Sequence, residues 1–219
     1  MIRNVDIDRI SDGRRYRSGD LAKLGCDDCR DCFACCMDMG ESIVLDPYDV
    51  YMMTGELNKP FVELLGKEVE LGTCDGVVLP HIKMGGIINK CGFLNDEGRC
   101  GIYHGRPGIC RLFPLGRIYE NGGFSYYLQV EECLKKNRTK VKIERWLGIP
   151  DLRKYEEYVL SWHDFIKHFG AELSEMEDME EMREVSMMLI HFFFLTPYDP
   201  ERDFYSQFYE RLNKVSFAE

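Results

Sequence analysis

The chain has 219 residues, of which 45% are hydrophobic and 30% charged, and it carries a net charge of −10. Such a composition belongs to a chain with a buried core and excludes intrinsic disorder. The negative balance excludes non-specific attraction of the whole molecule to nucleic acid or anionic lipid. The longest apolar run, MMLIHFFFL at 187–195, has nine residues, far fewer than the ~20 of a membrane-spanning helix. The segment MIRNVDIDRISDGRRYRSGD carries no apolar stretch of a secretory signal. The chain therefore reads as cytoplasmic, with neither nucleic acid nor membrane among its expected partners.

Residues 1–24 read as an N-terminal extension. The stretch CDDCRDCFACC at 26–36 then sets five cysteines in eleven positions. Asp46-Pro47 starts a short helix toward Leu57, and Pro60 starts another. Cys74 stands alone. A second cysteine group, Cys91, Cys100 and Cys110, occupies CGFLNDEGRCGIYHGRPGICRLFP, and RIYENGGFSYYLQV (117–130) reads as a hairpin turning at Asn121-Gly122. Cys133 follows it, and the chain beyond is free of cysteine.

Helical spacing dominates that last part. Leu152, Tyr155, Val159, Trp162, Ile166 and Phe169 recur at steps of three and four, predicting an amphipathic helix over 151–169 that Asp151 starts. A second helix over 174–195 opens on a capping box of Ser174 and Glu177, carries a stripe of Met176, Met179, Met182 and Val185, and stops at Thr196-Pro197. A third runs from about Glu201 to Val215. His191, inside the apolar run, reads as a core histidine; His163 and His168 read as structural or exposed. The six bases between Lys135 and Arg145 and the seven acids between Glu172 and Glu184 read as solvated faces. The expected fold class is α+β: a loop-rich, metal-organised half over 25–148, with short helices and a β-hairpin, packed on a helical region over 149–219.

In a reducing compartment, dense cysteine points to metal or redox chemistry before disulfides. Steps of three would drift by about 60° each around a helix, so a loop wrapped on a centre gathers the thiols of 26–36 better. Ferredoxins present thiolates to iron–sulfur clusters from such C-x₂-C-x₂-C runs, and structural zinc sites accept the same donors. Adjacent Cys35 and Cys36 diverge in extended backbone, which points to two centres or one larger cluster. Arg30, Arg99, Arg106 and Arg111 lie among the cysteines and suit the balancing of buried sulfur charge. There is no haem-attachment motif, and the C-x-x-C pairs overlap, unlike a thioredoxin-type dithiol. There is also no phosphate-binding glycine loop. His81 and His104 are conceivable partners for a cysteine nucleophile, and Tyr103, His104 and Arg111 are the residues to test in an enzyme.

The run Cys29-x₂-Cys32-x₂-Cys35-Cys36, followed by Cys91, Phe93, Leu94, Gly98, Cys100, Ile102, Tyr103, Arg106, Pro107, Cys110, Arg111, Phe113 and Pro114, resembles the YkgJ-like CxxCxxCC cysteine-cluster family over roughly residues 25–135. The resemblance implies chelation of zinc or iron through Cys29, Cys32, Cys35, Cys36, Cys91, Cys100, Cys110 and Cys133. Cys26 and Cys74 fall outside the shared pattern. Donors drawn from thiolates alone favour an iron–sulfur cluster, [4Fe–4S] being the expected kind. It would serve electron transfer, sensing or a reaction on a partner, with a protein or redox partner implied. The alternative is a zinc-stapled binding module without catalysis.

Overall fold

The structure, a computed structural model, describes residues 7–26 and 32–216. Helix α1 (Ile7–Ile10) leads into backbone bridges from Ser11 to Gln129 and Tyr16 to Tyr126. Strand β1 (Leu21–Gly25) follows and buries Ala22 and Leu24. After a 3-10 turn at Ala34–Cys36 comes α2 (Pro47–Leu57), where the Asp46-Pro47 signal places it. Asp46 Oδ1 accepts from the Asp49 N–H (2.9 Å) and Asp49 Oδ2 from the Asp46 N–H (3.1 Å), closing a capping box. Pro60 precedes only a single 3-10 turn, Phe61–Glu63, shorter than the helix expected there.

Strands β2 (Val69–Cys74) and β3 (Val77–Ile82) form a hairpin through Asp75-Gly76, both at positive φ. The short pair β4 (Met84–Gly85) and β5 (Lys90–Cys91) comes next, then α3 (Gly108–Leu112). Strands β6 (Leu115–Glu120) and β7 (Gly123–Leu128) make the hairpin expected from Asn121-Gly122, whose φ of 53° and 69° fit the turn that matches strand twist. Strand β8 (Thr139–Lys142) returns to pair antiparallel with β1, and α4 (Ile143–Leu147) ends at left-handed Gly148. With its small antiparallel ribbons before residue 143 and helices after it, the fold is α+β, as expected.

The C-terminal helices differ in their limits. Helix α5 runs over Leu152–Glu175, past the expected end and through Gly170. That glycine does not stop it because the β2–β3 turn lies against it: a Cβ there would sit 2.8 Å from the Asp75 carbonyl oxygen. The predicted capping box at Ser174 does not form. The helix still continues there, and the Ser174 hydroxyl donates to the Ala171 carbonyl (2.6 Å). Asp178 instead caps α6 (Met179–Ile190), accepting from the Glu180 and Glu181 N–H groups. Met179 therefore falls on the exposed first turn and leaves the stripe. A π-helical turn, His191–Leu195, extends α6 and turns His191 outward, so it is exposed and not a core residue. Arg211 of α7 (Phe204–Ser216) donates to the carbonyls of Phe192, Thr196 and Pro197, ending the run where Thr196-Pro197 predicts. No helix among the described residues is long and apolar enough to cross a membrane.

One hydrophobic cluster joins the ribbons to the helices. Tyr48 of α2 stacks on Tyr205 of α7 with centroids 5.7 Å apart, and Tyr158 of α5 meets Phe208 edge-on at 4.6 Å. The Tyr158 hydroxyl accepts the Tyr48 N–H (3.0 Å) and hydrogen-bonds the Asp46 carboxyl, so α5 and the start of α2 share one buried polar contact. Tyr158→Phe strands that N–H and should cost about 1–3 kcal/mol, seen as a lower Tm with a single transition for all helical signal. Unchanged stability would mean that the contact contributes nothing.

Candidate metal centre

Three segments carry the cysteines, each shaped by its own backbone chemistry. In the first, the Cys36 N–H donates to the Phe33 carbonyl (2.8 Å) and closes the 3-10 turn. Adjacent side chains do not diverge in that turn as they would in a strand: the Cys36 thiol donates to the Cys35 sulfur. The turn is tied to β4–β5 by the Met37–Lys90 bridge and by the Asp38 N–H on the Asn89 carbonyl (3.0 Å).

In the second, Cys91 ends β5 and Cys100 returns opposite Leu94. The Asn95 side-chain oxygen shapes the loop between them by accepting from the N–H groups of Glu97 (3.1 Å) and Arg99 (2.8 Å). The N–H groups of Phe93 and Leu94 face the Cys91 sulfur, and that of Ile102 faces Cys100.

The third is α3, which carries Cys110 and Arg111. Its first N–H, from Gly108, donates to Asp49 Oδ1 at 2.6 Å. Side-chain volume is excluded here, since a Cβ on Gly108 would collide with the Tyr155 hydroxyl and meet Asp49. Arg111 folds back onto the carbonyls of Arg106 and His104, and Arg106 lies 4.2 Å over the Tyr103 ring. Tyr103, His104 and Arg111 are thus engaged in holding the loop. His81 is buried on β3 beside Glu70.

Cys32, Cys35, Cys36, Cys91, Cys100 and Cys110 line one cavity of about 1250 Å³. Cys133 instead borders a small adjoining void of about 30 Å³ with Cys26, Cys32 and Cys35. Cys74 lines the large cavity from the end of β2, beside Asp75. Cys29 and Arg30 lie outside the described residues. No disulfide joins any two described cysteines.

The electrostatics are those of crowded sulfur. Cys35 is lowered to about 7, chiefly by the Cys36 thiol donating to it and further by Arg106. Cys36 is pushed up by giving that hydrogen bond, by burial and by the charges of Cys35, Cys91 and Cys110. Burial also raises Cys91, Cys100 and Cys110, and sulfur repulsion adds to it; Cys110 is raised furthest of these three, with Asp49 contributing. Most of these thiols thus stay protonated in the bare chain, and a bound cation inverts that balance. N–H groups aimed at sulfur, a neighbouring guanidinium and an all-sulfur donor set fit a thiophilic metal. Among the described residues, no three cysteine, histidine or carboxylate side chains stand close enough to ligate a single ion as placed.

Two residues that build this region escape a motif reading. Asp49 is 3% exposed and spans two helix starts, and Arg117 of β6 lines the same cavity. Arg117 left a signal, a charge in phase with Leu115 and Tyr119 on an alternating strand.

The family model CxxCxxCC, described as "Putative zinc- or iron-chelating domain", matches residues 28–139. The chain belongs to this family, and metal binding follows from that membership. No curated protein and no solved structure matches it.

Because α3 seats Cys110 through Gly108, the Gly108→Ala protein should lose about 1–3 kcal/mol and hold less metal than the wild type. Thermal unfolding and metal content on the same preparation check this. Wild-type values for both would contradict the role given to Gly108.

Proposed function

We propose that this member of the CxxCxxCC family holds an iron–sulfur cluster, of the [4Fe–4S] kind, on cysteines drawn from Cys29, Cys32, Cys35, Cys36, Cys91, Cys100, Cys110 and Cys133. The cluster would serve electron transfer, sensing or a reaction on a bound partner. The observation that carries the reading is the donor inventory on one cavity wall. Seven described cysteines line the cavity, and the six besides Cys74 already exceed the four donors of a structural zinc ion.

When bound, such a cluster supplies one-electron redox chemistry, its potential set by net charge, hydrogen bonds to sulfur and solvent exposure. The chain's own contributions are of that kind. The N–H groups of Phe93, Leu94 and Ile102 favour sulfur negative charge, and Arg106 balances it at Cys35 and Cys100. Asp49 fixes the helix on which Cys110 rides. The cavity gives the cysteine wall access to a ligand or partner group, which a sealed structural site does not need.

Cys100→Ser and Cys110→Ser should each lose iron and inorganic sulfide together and lower stability, since metal-binding free energy is folding free energy. Cys74→Ser, at the far end of β2, should keep wild-type metal and sulfide. Full retention in both first variants would refute the ligand assignment.

A further inference from the structure

Arg117 is a cation on an inward face. It lies between Leu115 and Tyr119 along β6, opposite Tyr126 of β7, and α5 covers it. Its guanidinium is 5.5 Å from the centre of the Phe124 ring and 5.6 Å from that of Tyr155. Its Nη2 donates a long hydrogen bond to the Tyr155 hydroxyl at 3.3 Å, and the guanidinium also meets the hydroxyls of Tyr119 and Tyr126. Nε is buried with no partner. No carboxylate among the described residues pairs with Arg117 within 4.0 Å. Asp46 and Asp49 feel its charge, while burial raises both and Asp46 raises Asp49 further.

A guanidinium has five N–H donors in a rigid plane, matched to a two-oxygen anion. Arg117 meets the neutral hydroxyls of three tyrosines and leaves its buried Nε unmet, in a setting where an unmet buried donor is costly. It also lines the cavity of about 1250 Å³, as do Tyr119, Tyr155, Val159 and Trp162. Apolar walls with a few convergent polar groups make a small-molecule site.

We infer that this cavity binds a small organic carboxylate, held by the Arg117 fork with its apolar body along Tyr119, Val159 and Trp162. A carboxylate is selected over phosphate because a single guanidinium offers one two-oxygen fork and one positive charge. The site shares its cavity with the cysteines, so the carboxylate lies in the space they border. The inference does not depend on which metal they hold, since every group it uses lies on β6 and α5.

The test is calorimetric titration of the full chain, with its metal, against phenylacetate, its neutral isostere phenylacetamide, and inorganic phosphate. Phenylacetate should saturate below about 10 mM, and phenylacetamide should bind about tenfold more weakly. Arg117→Gln should weaken phenylacetate by about tenfold to a hundredfold and leave phenylacetamide unchanged. In the wild type, phenylglyoxal modification of Arg117, followed by peptide mass mapping, should slow when phenylacetate is present; this readout stands even where Arg117→Gln does not fold. Absence of saturable binding, equal affinity for acid and amide, or unprotected Arg117 would overturn the inference and leave Arg117 a counter-charge for Asp46 and Asp49. Phosphate binding tighter than phenylacetate would overturn the choice of a carboxylate.

Discussion

One buried carboxyl group, that of Asp49, holds the cavity together. It accepts the Asp46 N–H at the start of α2 and the Gly108 N–H at the start of α3. Helix starts leave N–H groups without intrahelical partners, and a short side chain that serves two of them fixes the helices relative to each other. Asp46 returns the bond and meets the Tyr158 hydroxyl, so α5 joins the same network. Cys110 and Arg111 take their places from α3, and Tyr48, Tyr158, Phe204 and Tyr205 pack on one another in a single aromatic cluster. Burying this acid pair is costly, as its raised pKa values express, and the hydrogen bonds of both helix starts offset the cost.

Elements that local chemistry decides were readable from the chain. Asp46-Pro47 carries the cap of α2, Asn121-Gly122 the turn of β6–β7, and the spacing from Leu152 to Phe169 the buried face of α5. Elements decided by distant contacts were not. β1 and β8 come from opposite ends of the cysteine-bearing half, and neither run alternates strongly enough to declare a strand. The helix expected over 151–169 continues through Gly170, where the β2–β3 turn needs a residue without a side chain. The Asp75-Gly76 pair carries the turn chemistry of the β2–β3 hairpin, in a run that does not alternate clearly. Ser174 and Asp178 both had cap chemistry, and only the overrun of α5 decides between them.

The cysteine motifs were legible as two groups in order, and their membership in one chelating family follows from that order. Their placement is a tertiary result. The 3-10 turn at Ala34–Cys36 lets Cys35 and Cys36 touch, and α3 brings Cys110 to the same wall as the hairpin cysteines. Arg117 reaches that cavity from β6 and belongs to no motif.

The physical demand of the centre is charge. Burial and mutual repulsion hold most of its thiols neutral, and only a bound cationic core lets several thiolates coexist there. The direct measurement is the visible absorption of anaerobically purified protein, with iron, acid-labile sulfide and zinc quantified on the same sample. The account predicts a coloured protein with iron and sulfide in equal amounts and little zinc. A colourless protein carrying stoichiometric zinc would contradict it and make the cysteines a structural staple.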